Sequence, residues 1–199
     1  MGIPQLKELR RAYGFDEVAI VPGSVTINPE MISTDFSIDG ITLSTPVLGA
    51  AMDAVASPRF ASTVDELGGM AVINIEGVQT RYTDPDEVLA EIVDTSPDQV
   101  TALLQKVYFA PIQDDLVGKR VEEIRNNGAK CAVSVTPAST KRLAPIAAEA
   151  GADIIVVQST VTTARHVSHS ARGLRFPELL EMVPVPVIVG NCVSYDVAL

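Results

Sequence analysis

Two short joints in this chain are nearly identical, Asn127-Gly128-Ala129-Lys130 and Ala150-Gly151-Ala152-Asp153. Each stands between a helical pattern and an apolar run, with glycine placed as the helix stop. This recurrence of helix, glycine and strand constrains the fold more than any other feature, because neighbouring parallel strands need a helix-length crossover between them. The same unit is legible from the first strand onward. Pro46 to Leu48 empties into Gly49, Ala50 and Ala51, then Met52-Asp53. Ser57-Pro58 then supplies an N-cap and a first-turn proline for a helix at Phe60. Small residues at the end of a buried strand let another molecule approach the backbone closely.

The later units follow in order. Phe60 to Leu67 is expected as a helix stopped at Gly68-Gly69, and Met70 to Ile75 as the second strand. After Glu76-Gly77 only helical patterns occur: one from Asp84-Pro85 through Ile92, one from Ser96-Pro97 through Leu104, and one over Asp114 to Asn126. Lys130 to Val135 reads as the third strand, Ser139 to Ala150 as the next helix, and Asp153 to Val157 as the fourth strand. That fourth strand is almost wholly β-branched, as a strand buried on both faces should be. A helical region runs on to Leu180; its His166 and His169, three apart, suit surface or capping roles better than metal binding, for want of a third ligand. Pro186 to Gly190 is the fifth strand, and a helix begins at Ser194.

Residues 1–44 form a less regular N-terminal arm. A short helical piece is expected over Ile3 to Tyr13, a strand over Phe15 to Gly23, and a hairpin over Phe36 to Leu43 that turns at Asp39-Gly40. Such an arm suits a cap over the bottom of a sheet or barrel.

Repeated units with parallel strands fit either an open doubly wound sheet or a (β/α)₈ barrel. No Gly-x-Gly-x-x-Gly follows any strand, so the dinucleotide fingerprint of the doubly wound fold is missing. The expected class is α/β, an incomplete (β/α)₈ TIM barrel with about the first five βα units present, some three short of the usual eight. Residues 45–199 are then the first part of a single barrel domain. Ligand groups in a barrel sit at the C-terminal strand ends. Here those ends are Ala50-Ala51-Met52-Asp53, Asn74, Thr136, Gln158-Ser159-Thr160 and Asn191.

Composition narrows the function. Of 199 residues, 47% are hydrophobic and 20% charged, a globular balance, and the formal charge of −10 gives no electrostatic reason to bind nucleic acid or an anionic membrane. Cys131 and Cys192 form neither a disulfide framework nor a metal-ligand set. Cys131 opens an apolar strand and reads as a small core residue, whereas Cys192 sits at a strand mouth. With no signal-peptide pattern and no apolar run near 18 residues, a cytoplasmic protein is expected.

Phe15-Asp16-Glu17-Val18 with Val21-Pro22-Gly23, then Pro46 to Val55, then Gly68-Gly69-Met70-Ala71-Val72-Ile73, resembles the opening of the IMP dehydrogenase and GMP reductase family. Gly190-Asn191 after an apolar strand is similar to the Gly-Asn that follows that family's fifth barrel strand. The interval Val78 to Lys130, where most IMP dehydrogenases carry a pair of CBS modules, is only helical here, so the chain looks most like the CBS-lacking, IMP dehydrogenase-related branch. The resemblance implies oxidation of IMP to XMP with NAD as cofactor, in a cytoplasmic homo-oligomer (a tetramer) of GMP biosynthesis. It places Ala50 and Met52 at the purine nucleotide, with the Met52 thioether near the base. Gln158, Ser159 and Thr160 stand where the family contacts the nicotinamide riboside end of NAD with an aspartate and two small residues. Asn191 suits either ligand, or caps the following helix. The family's cysteine nucleophile lies on a loop after the sixth strand, so no catalytic residue is expected among these 199, and no metal ligand either. A GMP reductase, and a non-catalytic half-barrel that needs a partner over its open edges, are the competing readings.

Overall fold

The computed structural model describes residues 11, 13–160, 173–193 and 195–199. The expected helical piece beginning at Ile3, and both His166 and His169, lie outside the described residues. Two compact units result, Met1–Ser33 and Thr34–Leu199.

In the first unit the expected strand over Phe15 to Gly23 is replaced by a single 3-10 turn, Phe15–Glu17, followed by backbone with no regular structure. The Glu17 carboxylate accepts the Gly14 N–H at 2.9 Å and closes that turn. Val18 to Val21 belong to no strand, and no neighbouring strand among the described residues completes a ladder with them. A second turn spans Pro29–Met31.

The second unit opens with a hairpin, β1 (Phe36–Ile38) and β2 (Ile41–Leu43), which turns at Asp39-Gly40 as its sequence predicts. The main sheet follows: β3 (Leu48–Gly49), β4 (Met70–Asn74), β5 (Ala132–Val135), β6 (Ile154–Gln158) and β7 (Val187–Gly190). All neighbours are parallel and the spatial order is the sequence order. A doubly wound sheet reverses its order at a switch point; this one does not, so it is the winding of a barrel with five of its strands in place.

Alternation along each strand separates two cores. Ala71, Ile73, Val133, Val135, Ile155 and Val157 face the helices, where Val117, Val121, Ile124, Leu143 and Ala147 cover them. Met70, Val72, Ala132 and Ile154 face the opposite way and form the barrel interior, into which Leu43, Ile38 and Ile41 of the hairpin pack. Since Met70, Ala132 and Ile154 lie at the starts of their strands, the hairpin closes the N-terminal end of the barrel.

The helices are α1 (Pro58–Glu66), α2 (Pro85–Asp94), α3 (Val100–Phe109), α4 (Asp114–Asn126), α5 (Thr140–Glu149), α6 (Phe176–Met182) and the short α7 (Tyr195–Ala198). Ser57 Oγ accepts the Phe60 N–H at 3.2 Å and Asp84 Oδ1 accepts the Glu87 N–H at 3.1 Å, each ahead of a first-turn proline. The repeated joints do the same work twice. Gly128 and Gly151 take φ of +80° and +101°, so the N–H groups of Ala129 and Ala152 reach back to Ile124 O and Ala147 O at 3.3 and 2.9 Å. α3 departs from expectation, starting at Val100 rather than at Ser96-Pro97, because the Ser96 carbonyl first closes a turn with the N–H groups of Gln99 and Val100. Between β4 and β5 the chain has no strand, only a 3-10 turn (Val78–Thr80) and α2 to α4. No described helix is long and apolar enough to cross a membrane.

Candidate functional site

At the C-terminal ends of the strands the inward face turns polar. By alternation Asn74, Ser134, Gln158 and Gly190 continue the interior rows of β4, β5, β6 and β7. The Ser134 hydroxyl donates to Gln158 Oε1 at 3.2 Å, which occupies the amide's acceptor and leaves its own donors for a ligand. Gln158 is exposed at the rim. Beyond it the ladder continues for one more step: the Ser159 N–H donates to Gly190 O at 2.9 Å, and the Asn191 N–H to Ser159 O at 3.0 Å. Gln158, Ser159 and Asn191 are thereby brought together, with Thr160 exposed next to them. Their uncharged amides and hydroxyls suit ribose hydroxyls and a carboxamide, and no carboxylate stands among them.

Ala50 and Met52 lie at the same end of the sheet, at the mouth of β3. Three strand spacings separate β3 from β6, about 14 Å on a flat sheet. Met52 is 56% exposed, so it is not barrel-core filler. Its carbonyl accepts the N–H groups of Val55 and Ala56 at 2.9 and 2.8 Å, which makes a tight turn of the mouth.

Asp53, next in the chain, is the most engaged side chain of that mouth. Its Oδ1 accepts from Asn74 Nδ2 at 3.2 Å, and its Oδ2 from the Val78 N–H at 3.0 Å and the Tyr108 hydroxyl at 2.6 Å. Gly77 lies against the carboxylate so closely that a Cβ there would collide with it. Burial of the ring, and then the bonded Asp53 carboxylate, push the Tyr108 phenol up to about 12 against a lesser opposing effect of Arg81. It is a donor at neutral pH.

Glu76 makes the second anchored carboxylate. It accepts the Thr136 N–H and hydroxyl and, at 2.5 Å, the Ser139 hydroxyl. Thr136 and Ser139 lead into α5, so the helix start already faces a protein anion, and a ligand phosphate there would meet like charge. The root of the α2–α3 insert is fastened by Arg120 on α4, which is 5% exposed. Its guanidinium donates to Gln79 O at 2.8 Å, Thr83 O at 2.9 Å and Tyr82 O at 3.3 Å, and pairs with Glu123 at 2.9 Å.

Cys131, buried in the core, is not an activated nucleophile. Burial, with Asp153 adding to it, pushes the Cys131 thiol up to about 12. Cys192 is exposed, and its sulfur has only a 3.9 Å contact to Val189 O. No group of three His, Cys, Asp or Glu side chains among the described residues could hold a metal ion.

Tyr108 was invisible to sequence reasoning. It sits on a helix 55 residues from Asp53, and no local pattern encodes that meeting. Glu76 had a signal, an acidic residue before Gly77 where the repeat breaks, but its partners lie 60 and 63 residues further on.

The model of the IMP dehydrogenase/GMP reductase domain matches residues 12–199. An uncharacterized oxidoreductase of Mycolicibacterium smegmatis is 33% identical over 96% of this chain and 52% of its own length. An inosine-5'-monophosphate dehydrogenase of Methanocaldococcus jannaschii is 29% identical over 49% of this chain and 21% of its own. The crystal structure of an IMP dehydrogenase/GMP reductase-like protein from Corynebacterium glutamicum matches with a TM-score of 0.88 and 32% identity, covering 99% of this chain and 52% of that one. The chain thus spans about half the length of the curated relatives it matches from end to end. With five parallel strands in sequence order and a family match along nearly its whole length, it belongs to the IMP dehydrogenase/GMP reductase family.

Proposed function

We propose that this chain is the N-terminal part of a purine nucleotide oxidoreductase of the IMP dehydrogenase type, which oxidises IMP to XMP with NAD. The observation that carries the reading is the pair of strand mouths at one end of one parallel sheet. One presents an exposed thioether, Met52, beside small residues; the other presents the neutral hydrogen-bonding set Gln158, Ser159, Thr160 and Asn191. Ala50 and Met52 take the nucleotide, and a soft unbranched side chain suits a flat base. The second mouth holds the dinucleotide, which supplies a hydride acceptor when bound. The chain's contribution is binding and orientation, because its buried thiol stays protonated at neutral pH. The nucleophile belongs to the part of the barrel after β7. By family likeness the complete enzyme is a cytoplasmic homo-oligomer of GMP biosynthesis.

GMP reductase is the second reading, since the matching domain description covers both activities. Turnover of IMP with NAD, compared with GMP and NADPH, separates the two in the protein expressed from its whole reading frame.

Gln158 tests the assignment of the second mouth. Gln158→Ala is expected to weaken NAD about five- to tenfold, the worth of a hydrogen bond of roughly 1 kcal/mol, and to change IMP affinity much less. Gln158→Asp is expected to be tolerated or to tighten NAD, because a carboxylate forms a charge-assisted bond to ribose. Calorimetric titration of both ligands decides. Unchanged NAD affinity in Gln158→Ala would make the residue structural, and equal losses for both ligands would mean a collapsed strand mouth.

A further inference from the structure

The α2–α3 insert is chemically coupled to the mouth of β3 through Tyr108. Of the three donors on Asp53, the Asn74 amide comes from the end of β4 and the Val78 N–H from the 3-10 turn that follows it. The third, the Tyr108 hydroxyl at 2.6 Å, comes from the last turn of α3. A phenol bonded to a carboxylate is charge-assisted and directional, so it fixes Asp53 from the outer side. Asp53 follows Met52 in a turn closed on the Met52 carbonyl, so what fixes Asp53 also fixes how Met52 is presented.

The ring of Tyr108 is held as well. The Arg81 guanidinium lies 5.9 Å from its centroid, and Arg81 is tied in turn to Glu76 O at 2.9 Å and to Ala110 O. The root of the insert is pinned by Gln113, whose side chain donates to Arg81 O at 2.6 Å, and by the Tyr82 hydroxyl on Val107 O at 3.1 Å. Held at its hydroxyl and over its ring, Tyr108 is still 42% exposed. An immobilised aromatic surface left open at a strand mouth can take a flat ligand at little entropic cost.

We propose that Tyr108 is a positioning and specificity-determining residue for the purine nucleotide. Its hydroxyl sets the Met52-Asp53 turn beneath the base, and its ring closes the outer side of that subsite. The proposal rests on the reading of the β3 mouth as the nucleotide subsite.

The test is titration of IMP and of NAD, with melting temperature, in the protein expressed from its whole reading frame. Tyr108→Phe keeps the ring and removes the hydroxyl; it is expected to weaken IMP about tenfold, the cost of ordering a less fixed Met52-Asp53 turn on binding. NAD affinity stays at its wild-type value, and the melting temperature falls only by the few degrees that one lost hydrogen bond accounts for. Tyr108→Ala removes the wall too, and weakens IMP further than Tyr108→Phe. Wild-type IMP affinity in both variants overturns the proposal. So do equal losses of IMP and NAD with a lowered melting temperature, which mark a brace of the fold. A wild-type protein that takes NAD but no purine nucleotide at all overturns the subsite reading itself, and the role of Tyr108 with it.

Discussion

Replacing Arg120 by alanine is expected to destabilise this chain by about 3–5 kcal/mol, the usual result of removing one member of a buried charged network. The guanidinium is nearly sealed from solvent and satisfies three backbone carbonyls, those of Gln79, Tyr82 and Thr83, besides Glu123. Alanine leaves those carbonyls without their donor and Glu123 without its partner. Arg120→Lys retains the charge but not the planar fork that reaches separate acceptors, so its loss falls between the two. For a chain of this size the alanine variant melts about 10 °C lower. Denaturant unfolding of the three proteins measures this, and a loss below about 1 kcal/mol in Arg120→Ala would place it with solvated surface pairs.

Gly77→Ala is expected to cost about 1–3 kcal/mol and to disarrange the β3 mouth, because the added methyl falls on the Asp53 carboxylate. The backbone does not object: Gly77 has φ −95° and ψ −159°, extended values that alanine adopts freely. The cost therefore comes from moving Asp53 off Asn74, Val78 and Tyr108. Gly118→Ala is the control. It lies inside α4, its new Cβ would have ordinary contact with Ala150 Cβ at 3.9 Å, and it gains roughly 0.5–1 kcal/mol of helix propensity. Opposite signs for the two variants in one melting series bear out a steric origin. A Gly77→Ala protein as stable as wild type would mean that the carboxylate relocates freely.

The barrel was legible because its signals are local. Gly128 and Gly151 announce helix ends through a backbone conformation that suits glycine, and Ser57-Pro58 and Asp84-Pro85 announce helix starts through caps that the structure forms. Strand windows followed from apolar runs, most clearly for β4, β5 and β6, which are buried on both faces. The reading failed where a local pattern lacked its tertiary partner. Val18 to Val21 have strand-like composition and no neighbouring strand among the described residues. The strand mouths themselves, including Met52, Asp53 and Gln158, could be named from the ends of those runs. Their wiring could not. Periodicity says which face a residue occupies, and nothing about a tyrosine 55 residues away that reaches Asp53, or about a glutamate that serves the start of α5.

Among the described residues β3 has a strand on one side only, and so does β7. That these five units begin an eight-unit barrel is tested most directly by sequencing the reading frame past Leu199. The expected result is about three further strand–helix units, the number that completes the barrel, with a glycine-rich loop bearing a cysteine after the first of the new strands. A stop codon directly after Leu199 would contradict it, and would leave a half-barrel that needs a partner to cover both edges.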